Sequence, residues 1–307
     1  MADTVIDGIV TCGHGKEFIV YAGGVQYRCH LRKKVKFATD QTTPVAVGDD
    51  VVITVIKAAE GVIEEVRPRR TVLSRPAIGR ETSEHVLAAN VDSLVIVASV
   101  AEPVLRPGLI DRFLIAAEAG HLTPAIVINK ADLETTSETE EVIAVYRGLG
   151  YELFVTSTVS GIGLDDLRRF LKDHRSLFCG HSGVGKSSLL NQLLPGISLR
   201  TSNVSAVTGK GRHTTSSMEL FHLPDGGFVI DTPGLKVLGL WRVDRESLAS
   251  YYPEMEAYRD RCRFTGCHHL AEPDCAVKQA VETGHITRLR YDNYCHIYDS
   301  LSDPGWS

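Results

Sequence analysis

Between Thr4 and Val66 the apolar positions fall in short β-branched runs interrupted by glycine: Ile9-Val10, Phe18-Ile19-Val20-Tyr21, Val51-Val52-Ile53-Thr54-Val55-Ile56 and Gly61-Val62-Ile63. Such runs at regular short spacing predict a small closed β-barrel of the oligonucleotide-binding type. From Arg67 to Asn90 the pattern lapses, and Pro68, Arg69, Arg70, Pro76 and Gly79 read as a linker. An alternating rhythm follows. Val91–Val100 predicts a strand, Leu109–Ala119 a helix with Leu109, Phe113, Leu114 and Ala117 on one face, and Pro124–Ile128 a second strand. Glu138–Leu149 reads as a helix, Tyr151–Thr156 as a strand, Leu164–His174 as a helix and Leu177–Cys179 as a strand running into glycine. This alternation predicts a mainly parallel sheet covered on both faces, whose ligands sit at the strand carboxyl ends. Past Trp241 strand signals stop, and Arg245–Tyr258 and Ala276–Glu282 read as helices. The chain divides into a barrel at 1–73, an α/β domain at 74–240 and a helical domain at 241–307.

Composition agrees with this division. The 307 residues are 43% hydrophobic and 23% charged, enough for two or three compact cores, and the formal charge is −5. That total argues against a wholly basic nucleic-acid coat, yet it is unevenly spread: +1 over 1–73, −3 over 74–240 and −3 over 241–307. The first segment holds the cluster Arg32, Lys33, Lys34 and Lys36, which suits either contacts to RNA phosphates or a solvated strand end. The start carries Asp3 and Asp7 without a basic flank, and no apolar run reaches membrane-spanning length, so no membrane contact and a cytoplasmic location are expected.

Three motifs carry chemistry. Gly180-His181-Ser182-Gly183-Val184-Gly185-Lys186-Ser187 fits GxxxxGK[ST] between an apolar strand and the helical run beginning at Ser188. Its glycines let backbone N–H groups converge on phosphate oxygens, Lys186 reaches the terminal phosphates, and Ser187 ligates magnesium. Gly180 to Ser188 are therefore expected to contact nucleotide. Asn129-Lys130-Ala131-Asp132 follows the second strand. A carboxylate at Asp132 accepts both the ring N–H and the exocyclic amine of guanine, and adenine would leave it unpaired. The Lys130 stem can lie along the base, and Asn129 can tie this loop to the phosphate loop; the same four letters also suit a surface turn. Phe228-Val229-Ile230-Asp231-Thr232-Pro233-Gly234 places Asp231 to hold magnesium through water and the Gly234 N–H to sense a γ-phosphate, although Asp-x-Pro-Gly is also a turn signal.

The seven cysteines are odd in number and no secretory signal precedes them, so a disulfide framework is not expected. Cys12, Cys29, Cys179 and Cys295 are scattered and read as inert thiols, whereas Cys262, Cys267 and Cys275 lie close together with His268 and His269. Three thiolates and one imidazole fill a tetrahedral zinc shell without an open position, the pattern of one structural zinc. The Pro-Cys-x-x-Cys signature of deaminases is absent.

The order of the motifs is informative, because Asn129 precedes Lys186, the reverse of ordinary GTPases. The chain resembles the circularly permuted GTPases, and specifically the ribosome-small-subunit-dependent GTPase family, over nearly its full length. The resemblance rests on Val47-Gly48-Asp49, Ala89-Asn90-Val91-Asp92, Asp111-Arg112-Phe113-Leu114, Asn129-Lys130-Ala131-Asp132-Leu133, the phosphate loop, Gly211-Arg212-His213-Thr214-Thr215 and the cysteine cluster. It implies an α/β fold: a circularly permuted P-loop GTPase domain with an N-terminal OB-fold barrel and a C-terminal helical zinc domain. It also implies hydrolysis of GTP to GDP, stimulated by the small ribosomal subunit late in its maturation, with that subunit and its rRNA as partners of a monomer. Carried over residue by residue, it places Thr215, ahead of Thr214, on magnesium, Ser157 in the base pocket, and His269, not His268, on zinc. Leu235 stands where many GTPases place a water-orienting glutamine, so His213 is the candidate to position the nucleophile. Two other readings stand beside this one: a GTP switch acting on another translation or RNA-handling partner, and an RNA-binding module whose nucleotide is structural.

Overall fold

The computed structural model describes residues 4–32, 35, 43–77, 80–197, 199, 218–232 and 239–301. Strands β1 (Thr4–His14), β2 (Glu17–Ala22), β3 (Val25–Leu31), β4 (Asp50–Lys57) and β5 (Glu60–Val66) close on themselves. β1 pairs antiparallel with both β2 and β4, β4 with β5, and β3 runs parallel to β5. Inward positions Val10, Phe18, Val20, Cys29, Val51, Ile53 and Ile63 fill the interior, as a period of two requires. β1 is long enough to leave the barrel: Cys12 pairs with Glu219 of β12 (Glu219–His222), so barrel and central sheet are one hydrogen-bonded system.

That sheet runs β10 (Glu152–Val155), β9 (Thr123–Asn129), β8 (Ser93–Ser99), β11 (Arg175–Gly180), β13 (Phe228–Asp231), β12, parallel except for β12. Every residue of β8 is buried, and the strand shows why both faces are covered. Leu94, Ile96 and Ala98 pack with Ile110, Phe113 and Leu114 of α1 (Pro107–Ala119) and with Val142, Ile143 and Tyr146 of α2 (Ser137–Gly148). Val95 and Val97 point the other way, into Leu164, Leu167 and Leu171 of α3 (Leu164–Leu171) and Leu189, Leu190 and Leu193 of α4 (Lys186–Leu193). α2 starts on a capped end, the Thr136 hydroxyl accepting from the Thr139 N–H with Glu138 and Glu140 in the first turn.

Two expectations are corrected. The stretch 67–90 is not a plain linker: β6 (Val72–Ala77) and β7 (Arg80–Ala89) form a two-stranded antiparallel sheet. The segment 245–258 is not one helix but two single 3₁₀ turns at 248–251 and 253–255 leading into the four-residue α5 (Glu256–Arg259), with Pro253 interrupting. Beyond α6 (Ala276–Glu282) lies α7 (Arg288–Ser300), which the apolar pattern did not announce.

The barrel meets the sheet through polar contacts. Gly48 has φ of +90°, and a Cβ there would lie 2.1 Å from the Ala89 carbonyl oxygen, so only glycine fits. The buried Asp49 carboxylate receives Arg69 through two bonds of 2.8 Å and the Ala46 N–H at 2.8 Å. Arg175, the first residue of β11, donates to the Gly48 carbonyl and to Asp50 at 2.9 Å. Val47-Gly48-Asp49 and Asn90, read in the sequence only as letters of a pattern, thus form the joint, with Asn90 accepting from the Arg70 N–H.

Candidate functional site

Four strands deliver the motifs to one edge. Ser99, Asn129, Gly180 and Asp231 are the carboxyl-terminal residues of β8, β9, β11 and β13, and these parallel strands end together. The phosphate loop spans the turn from β11 into α4, whose first residue is Lys186 and whose first turn holds Ser187 and Ser188. Gly185 has φ of +88°, and a Cβ there would lie 2.4 Å from the Asn129 amide nitrogen. Close approach of the two loops therefore requires glycine.

Asn129, fully buried, is the bridge. Its Nδ2 donates to the Val184 carbonyl at 3.0 Å and its Oδ1 accepts from the Thr156 hydroxyl at 3.1 Å. Lys130 adopts φ of +63°, and its ammonium donates to the Glu102 carbonyl. Asp132 is exposed, with one carboxylate oxygen receiving the Ser157 hydroxyl at 2.5 Å. Ser157 is itself buried, and its oxygen accepts the N–H groups of Val159 and Ser160, both at 3.1 Å. Its side chain thus meets the carboxylate that the sequence placed on the base. Thr156 and Glu102 escaped sequence reading; a threonine at a strand end carries no motif of its own.

On the phosphate side the Lys186 ammonium pairs with the Asp231 carboxylate, each side chain only 12% exposed. This joins the two charges that a magnesium nucleotide would engage separately. Thr232 Oγ1 donates to the Phe178 carbonyl at 2.6 Å and fixes the end of β13 against β11. His181 is turned aside, its Nδ1 2.9 Å from the Ser182 carbonyl oxygen. Ser182, Gly183 and Val184 complete the loop, with Val184 buried against α4. His213, Thr214, Thr215 and Gly234 lie outside the described residues, as do Lys33, Lys34 and Lys36. Arg32 is described: its guanidinium meets Glu64 at 2.5 Å and stays 63% exposed.

Cys262, Cys267, His269 and Cys275 come together, their donor atoms all within 4.8 Å of one another. The sulfurs of Cys262 and Cys275 are 3.8 Å apart and lie 3.5 and 3.4 Å from His269 Nδ1. A tetrahedral ion with sulfur at about 2.3 Å and nitrogen at about 2.0 Å has edges of roughly 3.5 to 3.8 Å, so these residues could hold a metal. Burial raises the Cys275 thiol and lowers the His269 imidazole from their ordinary values; a cation would stabilise the thiolate form, and the neutral imidazole is ready to ligate. The supporting contacts were not legible beforehand. Glu272 accepts the N–H groups of His268 and Leu270 at 2.8 and 2.9 Å. Tyr294 and Tyr291 of α7 donate to the carbonyls of His268 and His269 at 2.8 and 2.7 Å. His268 itself packs its ring on Tyr298.

α7 also holds this module to the sheet domain. Arg290, 2% exposed, donates to Asp111 of α1 and, at 2.6 Å, to Glu254, and its guanidinium lies 4.5 Å from the Tyr252 ring centroid. Tyr146 and Asn293 each donate to Asp111 at 2.6 Å. Burial alone would lower the Arg290 pKa, but Asp111 and Glu254 raise it, so the guanidinium is charged.

The comparisons with known proteins agree with this geometry. The RsgA GTPase family model matches residues 66–241. The small ribosomal subunit biogenesis GTPase RsgA of Chlorobaculum tepidum is 42% identical, with 97% of this chain and 99% of that protein covered. The protein of the same name from Haemophilus influenzae is 39% identical over 91% of this chain and 80% of its own. Among solved structures, YjeQ from Thermotoga maritima superposes with a TM-score of 0.78 at 35% identity, covering 97% of this chain and 99% of that one. YloQ, described as a circularly permuted GTPase, gives 0.71 at 32% identity, covering 98% and 96%. With the base loop preceding the phosphate loop on one sheet edge, and with likeness of this extent, the chain belongs to the RsgA GTPase family and has its circularly permuted fold.

Proposed function

We propose that this protein hydrolyses GTP to GDP and phosphate on the small ribosomal subunit and acts in the late maturation of that particle. The observation that carries the reading is the Asn129–Val184 bond, which joins a carboxylate-bearing base loop to a phosphate loop at one edge of the sheet. Support for the ribosomal partner comes from relatives named as small ribosomal subunit biogenesis GTPases that align over nearly all of both chains. In this reading the phosphate loop from Gly180 to Ser188 and Gly234 engage the phosphates, and Asn129, Lys130, Asp132 and Ser157 hold the base. Ser187, Thr215 and Asp231 surround magnesium, whose charge offsets that developing on the transferred phosphoryl oxygens. The residues Cys262, Cys267, His269 and Cys275 hold a structural zinc, and His213 positions the attacking water.

The division into 1–73, 74–240 and 241–307 assigns labour to the parts. The barrel, through the cluster at Arg32, Lys33, Lys34 and Lys36, and the metal module grip rRNA when GTP is bound, and hydrolysis shifts one against the other to release the subunit. The protein works as a monomer in the cytoplasm. Among the described residues no helix is long and apolar enough to cross a membrane.

The test is a hydrolysis series with GTP and ATP, with and without purified small subunits and large subunits, across salt concentration. Turnover specific for GTP and stimulated by small subunits alone supports the reading. A single turnover without recycling would favour a structural nucleotide, and stimulation by neither subunit would move the switch to another partner.

A further inference from the structure

The loop between the proposed metal ligands Cys262 and Cys267 presents Phe264 to solvent, 45% exposed. Its neighbours Arg263, Thr265 and Gly266 are exposed as well, so the ring stands without a surrounding apolar patch. Protein partners recognise contiguous apolar area several side chains wide, and a lone ring does not supply it. One ring matches one other ring. The Arg263 guanidinium lies 5.5 Å from the centre of the Phe264 ring, so a cation stands beside this aromatic surface.

Charge decides what kind of nucleic-acid contact this is. Residues 241–307 carry 8 basic and 11 acidic side chains, and Arg263 already meets Asp274 at 2.7 Å, so the module does not gather phosphates by bulk attraction. Stacking needs no such attraction, because every base has a π-face. The Arg263–Asp274 pair is exposed on both sides, so its guanidinium is free to leave the carboxylate and cover a base at little cost. The chain just past Cys267 is anchored by the tyrosine bonds to the His268 and His269 carbonyls, which fixes one end of the loop and reduces the ordering needed on binding.

From these features we propose that Phe264, with Arg263 beside it, is a stacking platform for an unpaired RNA base. The proposal deepens the reading of a ribosomal RNA partner and rests on it.

The experiment uses the full-length, metal-loaded protein with three substitutions, Phe264→Ala, Phe264→Leu and Phe264→Trp, each checked for zinc content as a measure of intact folding. Affinity is read for a single-stranded oligoadenylate, for a duplex RNA of equal length and for purified small subunits, over a salt series. Phe264→Ala should weaken oligoadenylate binding by about 5- to 100-fold with the slope against salt unchanged, as loss of one stacked base implies. The duplex should be bound poorly by every form. Phe264→Trp should restore the affinity and Phe264→Leu should not, because a leucine offers apolar volume without a π-face. Unchanged oligoadenylate affinity in Phe264→Ala overturns the proposal. So does rescue by leucine equal to that by tryptophan, or a loss confined to intact subunits, since both identify a protein pocket as the occupant. The ribosomal reading is judged separately: if small subunits fail to stimulate the unsubstituted protein, that reading falls whatever the oligonucleotide shows.

Discussion

The amide nitrogen of Asn129 donates to the main-chain oxygen of Val184 across 3.0 Å, inside a cleft where Gly185 leaves no room for a Cβ. One buried side chain therefore fixes the distance between the loop proposed to read a base and the loop proposed to cradle phosphates. Asn129→Ala would leave both the Val184 oxygen and the Thr156 hydroxyl short of a partner. Such bonds cost about 1–3 kcal/mol each when lost, mostly as stability of the free protein, and if about 1.4–2.8 kcal/mol of this falls on the nucleotide complex GTP affinity should drop by roughly 10- to 100-fold. Equilibrium binding of a fluorescent GTP analogue checks this, with thermal unfolding as the control. An affinity within twofold of the starting value would show that the loops are held by other means.

In the proposed reading Asp132 supplies the guanine selectivity, while one of its oxygens receives the Ser157 hydroxyl. In Asp132→Asn the side chain presents an amide N–H where guanine also presents an N–H, and two donors face each other. Xanthine carries a carbonyl at that position and accepts from the amide. The expected outcome is a drop in GTP affinity of 100-fold or more, about 3 kcal/mol, with a matching gain for xanthosine triphosphate. Competition between the two nucleotides measures the ratio. Equal losses for both would place the base elsewhere.

Much of this site was legible in the sequence because its motifs are local. A phosphate loop, an Asn-Lys-x-Asp stretch and four candidate metal ligands within fourteen residues each occupy one short window. The parallel sheet was legible too, since a strand buried on both faces, such as Ser93–Ser99, is apolar along nearly its whole length. Elements stabilised by distant partners were not. α7 buries Arg290, Tyr294, Ile297 and Tyr298, and an arginine enters a core only because Asp111 waits 179 positions earlier. No window of sequence contains both. The β6–β7 hairpin escaped for a related reason: Pro76 and the polar run Arg80-Glu81-Thr82-Ser83-Glu84-His85 carry turn and surface signals, and the buried Val86 and Ala88 are too few to outweigh them.

His213 takes its expected role from what is missing elsewhere, since Leu235 cannot orient water. His213→Ala should lower turnover stimulated by small subunits by about 10²-fold or more, within the range of a positioned proton-transfer or water-orienting group. GTP affinity should stay within about twofold. Single-turnover hydrolysis on saturating subunits gives the first quantity and equilibrium binding the second. Full stimulated turnover in the variant would remove the histidine from the mechanism.

The Asp111–Arg290 pair gives a stability test with a built-in control. Asp111→Ala removes one of the two carboxylates facing a buried guanidinium, and an uncompensated buried charge costs about 3–5 kcal/mol. Glu254 still holds Arg290 through two contacts, so the lower end of that range is expected. The midpoint of thermal unfolding should fall by roughly 5–10 °C. Arg290→Met, made together with Asp111→Leu and Glu254→Gln so that no buried carboxylate is left without its cation, should recover part of the loss, because apolar side chains of similar volume tolerate the same cavity. Calorimetry separates the cases. A triple variant no better than Asp111→Ala would mean that geometry, not charge compensation, is what the pair provides.

If Cys262, Cys267, His269 and Cys275 hold the proposed zinc, its removal tests how the C-terminal module is built. The segment from Cys262 to Cys275 contains almost no regular structure, and its ligands are the groups around which it turns. Without a cation the loop loses the energy that would close it. α7 has a separate anchor, since Arg290 and Asn293 bind Asp111 of α1 irrespective of the ion. Chelation, or Cys275→Ser, should therefore release the loop while leaving most of the helix in place. In hydrogen exchange, the amides of His268 and Leu270, bonded to Glu272, should lose protection by at least 10-fold, and those in the middle of α7 should change little. If the helix and the loop exchange together, the metal organises the whole module and the contact with α1 is too weak to hold α7 alone. If neither changes, the four donors are held by the chain itself and the ion contributes no folding energy.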